Sequence, residues 1–496
     1  MKRSPRDGQL SSLENRTCSP GALPQPFLGT IVFAILALIV PLFVVATTPN
    51  NGYDEWAGCL AIAVLAAARF AWTVSDRESH IVDMVVSVFV YGFLGIAPMV
   101  QLRQRAEIST TPGFIEQYAW QSVAIVFIGY GALLLGAFLG KRSSPHNLAA
   151  SEPAAVALRN SRVVLTTLLA FGITAYYVYS LGPEALFHTR SVIDAERAAT
   201  WSNPTTAALV TGFSDMGLLV AAVAQILLFR QRRASGAPAP LVLMIVTLVA
   251  LLVVVNPVSS PRYTVGTVYV ALLAACGAWS SLKKYRTVSI SLMTALFFLF
   301  PIASTFRNSI DAKVQFKGPL ESLVSGDFDS FYQINNAAYF IASRGITWGD
   351  QLLGVVLFWV PREIWPGKAV DTGILLAEFR GYSFTNLSAP LWAELMINGS
   401  WPLLVLGMLL IGFMIRRWDR KLALHIAKAG TPGLVGCIVP VYLLIVLRGS
   451  LLQSMASLSV ILLLAWFLSA GSARVRSSQQ VVGTRPSSPR TSEDVT

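Results

Sequence analysis

Apolar stretches of about twenty residues recur along this chain, with its charges confined between them. A run of that length crosses the ~30 Å hydrocarbon core of a bilayer as a helix. Lipid leaves few other options, because each backbone polar group must be satisfied within the spanning structure. Composition agrees. The chain is 54% hydrophobic and 13% charged, whereas soluble domains average about 25% charged residues. The pattern predicts an all-α polytopic membrane protein.

Twelve spans are expected: Phe27–Thr47, Glu55–Val74, Ile81–Gln101, Phe114–Gly140, Val163–Leu181, Thr205–Phe229, Leu241–Val255, Tyr263–Trp279, Val288–Ser304, Gly399–Ile415, Leu434–Leu447 and Leu451–Ser469. Reading the final hairpin differently gives eleven or thirteen. Residues 1–25 are polar and basic and read as a cytoplasmic tail before an uncleaved first helix. Residues 26–305 carry the first nine spans, 306–398 a long outer loop, and 399–470 the last three. Residues 471–496, rich in Ser, Arg and Pro, read as a disordered cytoplasmic tail.

Orientation follows from Lys and Arg. Lys141, Arg142, Arg230, Arg232, Arg233, Lys283, Lys284, Arg286, Arg416, Arg417, Arg420 and Lys421 fall in alternate loops, which places those loops inside. The formal charge of +12 therefore reports topology. A nucleic-acid binder would gather its basic residues on one face. Cys18, Cys59, Cys276 and Cys437 are far apart and signal neither a zinc site nor a disulfide framework.

The loop 306–398 far exceeds ordinary connections, and loops of that length are functional or disordered. Its aromatic content argues against disorder, and Trp348 to Pro402 holds five of the twelve Trp. Leu352–Val360 is apolar but too short to span, and reads as a re-entrant or interfacial helix stopped by Pro361.

The outer face should be poor in basic residues, yet it carries Arg190, Arg197, Arg262, Arg307, Arg344, Arg362, Lys368, Arg380 and Arg448. Arg pairs bidentately with phosphate, so several that converge would seat a pyrophosphate. Any one alone is as well explained by a lipid headgroup. In V-P-R-E-I-W-P-G-K (360–368), two prolines restrict the backbone around Arg362 and Trp365. That suits either a binding site or an interfacial turn.

Glu394, at the approach to a span, is a candidate general base or the partner of an Arg. Asp215, deep in its span, is a functional candidate or half of a structural pair. His188 is a candidate proton carrier, although a lone His is more often structural. Asp327-x-Asp329 invites a metal, but no third ligand stands nearby at the right spacing. The outer aromatics suit sugar stacking or an interfacial belt. Motifs of serine hydrolases, P-loop ATPases and zinc proteases are absent from the sequence.

F-W-V-P-R-E-I-W-P-G-K (358–368), T-N-L-S-A-P-L-W-A-E-L-M-I-N-G-S-W-P (385–402) and P-R-Y-T-V-G (261–266), with many spans and one long outer loop, resemble the O-antigen polymerases of the Wzy class. Ala369 departs from that pattern, where a second Pro is expected.

The resemblance implies a GT-C-like, metal-independent glycosyltransferase without cofactor in the bacterial inner membrane, its termini cytoplasmic and its site facing the periplasm. Its donor and acceptor would both be glycans on undecaprenyl pyrophosphate, and the product O-antigen or exopolysaccharide. Membrane lipid and a chain-length regulator protein would be its other partners. Arg362, Glu394 and Arg262 are then the candidate catalytic residues. Arg262, Arg362 and Lys368 would hold donor pyrophosphate, and Arg190, Arg197 and Arg448 the second carrier or its glycan. Arg307, Arg380 and Trp365 complete the expected substrate contacts.

An O-antigen ligase uses the same donor and differs in its acceptor. A flippase for the same lipid should show repeated halves and charges along a path through the membrane.

Overall fold

The described residues between Pro26 and Ser469 fold mostly into helix, as the recurrence of apolar runs requires. The computed structural model describes residues 25–142, 158–238, 240–302 and 318–469. Both expected tails and Arg307 therefore lie outside the described residues, apart from Gln25.

Among the described residues eight helices are long and apolar enough to cross a membrane. They are α1 (Pro26–Thr47), α2 (Trp56–Ser75), α3 (Ile81–Arg103), α4 (Ala119–Arg142), α5 (Asn160–Leu181), α7 (Pro204–Ala234), α14 (Leu391–Ala429) and α16 (Leu451–Ser469). Four further helices occupy the other expected spans: α8 (Leu241–Val254), α9 (Arg262–Ala275), α10 (Leu282–Ile302) and α15 (Gly433–Arg448). Other helices are the surface helix α6 (Arg190–Thr200) and, within the long loop, α11 (Ser330–Arg344), α12 (Asp350–Val356) and α13 (Thr372–Arg380).

Contacts between helix ends fix two opposite ends of the bundle. At one, Arg103 Nε donates to Thr48 Oγ1 at 2.9 Å, and the loop 326–329 meets the start of α9 and the end of α15. At the other, Arg286 Nε donates to Val74 O at 2.7 Å. There Asp419 caps α3, accepting from Val82 N at 2.8 Å and Asp83 N at 3.1 Å. Arg416 meets the His80 ring at 2.9 Å. Arg286 and Arg416, expected in solvated loops, are thus buried and tied to neighbouring helices.

Apolar burial divides into two large clusters and a small one of Tyr177, Leu186 and Trp201. One large cluster joins α2, α3, α4, α11 and α14, and the other α5, α7, α9, α15 and α16. Glycine brings two helices of the first close together. A Cβ on Gly136 of α4 would stand 1.9 Å from Leu409 O, and one on Gly412 of α14 would stand 1.9 Å from Leu133 O. Small residues on facing helices let backbones approach this closely in membranes.

The segment expected as a long outer loop is largely built into the body. In α11, Phe331, Ile334, Ala337 and Ala338 are buried against the first cluster. Several of its polar residues are also buried, and some of them find dedicated partners. Asn335 pairs with the backbone of Ile115, accepting from its N–H and donating to its carbonyl, both at 3.0 Å. The short apolar helix is present as α12, with Leu353, Val356 and the following Trp359 exposed.

Helix α14 begins at Leu391, eight residues before the span expected there. It is broken at Gly399 and Ser400, where Ser400 has φ 55° and ψ −151°. Pro402 follows, and its missing N–H removes a rung of the ladder at the break. Residues 391–398 thus form a separate short helix carrying Glu394.

Candidate functional site

Two hollows open side by side at the end where the loops gather. The first, of about 380 Å³, lies among α6, α7, α9, α15, α16 and the loops 326–329 and 384–388. Arg190, Arg197 and Arg448 all line it, with Asp215, Asp327 and Asp329. The second, of about 540 Å³, is lined by Arg362, Lys368, Asp371, Asn203 and Glu363. Asn386, Gln453 and Ala456 belong to both. Gln453 Nε2 donates to Asn386 Oδ1 at 3.1 Å, so one hydrogen bond forms part of the partition.

Local sequence explains how each group arrives there. Arg448 ends α15, and the tight link to α16 turns it across the loop 326–329. Its Nε donates to Asp327 O at 2.9 Å, and its Nη2 to Gly326 O at 3.0 Å and Asp329 Oδ1 at 3.2 Å. Ser388 Oγ donates to the same Asp329 oxygen at 2.7 Å. Burial nonetheless pushes the Asp329 carboxyl above the usual aspartate range, against the pull of Arg448 and Ser388. Arg197, in the last turn of α6, donates from Nη2 to Tyr177 OH at 2.6 Å and from Nη1 to Asp194 Oδ1 at 3.2 Å. Arg190 stands about two turns earlier, at the start of α6, its Nε 3.6 Å from Asp194 Oδ2.

The structure separates the predicted residues into groups. Arg190, Arg197 and Arg448 come together. Arg362 and Lys368 share the neighbouring hollow, but both are engaged by their own loop. Lys368 Nζ donates to Phe358 O at 2.6 Å and Val360 O at 2.9 Å. Arg362 donates from Nη1 to Lys368 O at 2.7 Å and from Nη2 to Ala369 O at 3.1 Å. The V-P-R-E-I-W-P-G-K block is thus a self-clasped loop in which two cations hold carbonyls of residues 358–369. Burial and the adjacent Arg362 push the Lys368 ammonium below the usual lysine value.

Arg262 packs behind the first hollow, its Nη1 donating to Asp327 Oδ2 at 2.7 Å, while its neighbours Pro261 and Tyr263 form the wall. Asp327 and Asp329, considered above as metal ligands, instead engage Arg262 and Arg448. Arg380 clasps the carbonyl of Gly113 and donates to Tyr382 OH at 3.1 Å. Neither Arg380 nor Trp365 lines either hollow. His188 pairs with Glu196, Nδ1 to Oε1 at 2.8 Å.

Glu394 is fully buried and lies beneath the partition. Its Oε1 accepts from Ser450 Oγ at 3.1 Å and Leu451 N at 3.0 Å, and its Oε2 accepts from Thr372 Oγ1 at 2.8 Å. It staples α13, α14 and α16 together and touches no open space directly. Asp371 does line the second hollow, but its Oδ1 caps α13 by accepting from Gly373 N at 2.8 Å. Burial pushes its carboxyl up.

Asn386, Ser388, Ser450 and Gln453 escaped the sequence reading. Each is a common polar residue in an unremarkable context, and only the fold brings them to one place. No protein-family model, no curated protein and no solved structure matches this chain.

Proposed function

We propose that this chain is a glycosyltransferase of the bacterial inner membrane, with twelve spans in a GT-C-like arrangement. It extends oligosaccharides carried on undecaprenyl pyrophosphate at the periplasmic face, toward O-antigen or exopolysaccharide. One observation carries the reading: Arg190, Arg197 and Arg448, three cations of the face expected to be poor in them, line one hollow.

The chemistry fits that geometry. When a glycosyl group leaves undecaprenyl pyrophosphate, negative charge grows on the diphosphate. Guanidinium groups already in position stabilise that charge most in the transition state. In the free protein Arg448 is held largely by carbonyls. A diphosphate offers stronger, charge-assisted acceptors than those carbonyls. The adjoining hollow, lined with Asn203, Glu363, Asp371, Asn386 and Gln453, offers the amides and carboxylates that hydrogen-bond sugar hydroxyls.

The test is Arg448→Ala, assayed as polysaccharide length on a gel. Loss of the ladder with a single repeat unit retained is the expected result. A wild-type ladder overturns the reading, and loss of every repeat points to a flippase or ligase.

A further inference from the structure

Asp215 sits in a π-helical turn, Phe213–Gly217, inside the spanning helix α7. Single π-turns within α-helices recur at functional sites, because they cost regular hydrogen bonding. Asp215 is 8% exposed, and the space it reaches is the first hollow. It stands eleven residues below Pro204, or about 16 Å along the helix. Among the described residues nothing hydrogen-bonds its carboxylate and no cation lies within ion-pair distance. A carboxylate so placed in a membrane is costly and marks function by default.

Its surroundings are specific. From α6, Arg197 faces it across the hollow and interacts with it electrostatically. Arg190 lies on the same wall. From α5, Tyr177 holds the Arg197 guanidinium. From α15 come Tyr442 and Arg448, and from the loop above, Asp327 and Asp329, each engaged by an arginine. The packed face of α16 contributes the uncharged Gln453, Ser454 and Ser457. Asp215 is thus the carboxylate of this hollow that remains uncommitted.

We propose that Asp215 is the general base of the transfer, the role first considered for Glu394. The assignment rests on the function proposed above. The acceptor sugar hydroxyl gives its proton to the Asp215 carboxylate while its oxygen bonds to the anomeric carbon of the donor. The bond from that carbon to the diphosphate breaks, and its electron pair leaves on the diphosphate oxygen facing Arg197 and Arg448. Glu394, sealed beneath Ser450, is a positioning residue that holds the partition.

The experiment uses the full chain in lipid nanodiscs, with lipid-linked repeat units isolated from the producing strain, and undecaprenyl pyrophosphate as the binding probe. Asp215→Asn should slow extension by about a hundredfold to ten-thousandfold, the usual contribution of a positioned base, and bind the probe as wild type does. Asp215→Glu should recover part of the rate. The wild-type rate should fall as pH is lowered and the base is protonated, and the residual rate of Asp215→Asn should lack that limb. An Asp215→Asn variant that extends at the wild-type rate overturns the assignment. So does one that loses probe binding together with activity, since that is the signature of a structural group. If the wild-type protein binds the probe yet never joins two repeat units, the transferase reading itself fails and takes the base with it.

Discussion

Glu394 meets three neutral donors, Thr372, Ser450 and the Leu451 backbone, and is fully buried. A carboxylate in that state acts as an acceptor hub. A glutamine there keeps the volume but turns one acceptor into a donor that faces donors already present. A buried group left without its bond costs about 1–3 kcal/mol. Glu394→Gln should therefore lower the melting temperature, and its turnover should follow the folded fraction. A variant that melts like wild type yet is inactive would restore Glu394 to the reacting centre. Arg362 and Lys368 teach the same lesson from the other side. Both line a hollow, yet both already hold their own loop's carbonyls. Charge and an outer position were visible in the sequence, whereas the partner that claims each charge was not.

At the scale of elements, the same small-residue logic governs α4 and α14. Gly136 and Gly412 each face a carbonyl of the opposite helix at a distance no side chain could share. A Cβ on Gly412 would also stand 3.0 Å from Ala137 N. The obstruction is backbone on both sides, so no rotamer change relieves it. Gly412→Leu should force the helices apart and expose the Trp392 and Leu404 packing beside them, costing more than the about 1–3 kcal/mol typical of overpacked cores. The measurement is the yield and melting temperature of the purified variant in detergent. A variant as stable as wild type would show that the pair is not packed this closely. The apolar periods revealed these two helices but not their contact. Ser330–Arg344 marks the opposite limit. Its mixture of Gln, Asn and aromatic residues reads as loop, because polar residues with dedicated buried partners look like solvated ones until those partners are known. The break at Gly399 and Ser400 was equally hidden, although N-G-S-W-P carries both a glycine and a proline at the spot.

For the whole molecule, membrane class and most helices were legible because length and hydropathy act locally, within one segment. The hollows did not follow, because they depend on side chains from segments as distant as Arg190 and Arg448. Charge asymmetry links the two levels. Arg230, Arg232, Arg233, Lys283, Lys284, Arg417, Lys421 and Lys428 gather at the end opposite the hollows. Basic residues are retained on the cytoplasmic side during insertion. The three arginines of the first hollow are instead held by Asp194, Asp329 and Tyr177 and by loop carbonyls. These partners offset part of the arginines' charge in the folded chain, so the outer position proposed for them does not conflict with that rule. Two single-cysteine reporters on a chain whose four natural cysteines are replaced by serine test this. Glu363→Cys stands at the mouth of the second hollow and Arg233→Cys at the far end of α7. A membrane-impermeant maleimide, applied to cells with a permeabilised outer membrane, should label Glu363→Cys at once and Arg233→Cys only after lysis. The reverse pattern would turn the guanidinium hollow toward the cytoplasm and remove the periplasmic assignment, while leaving the hollow itself intact.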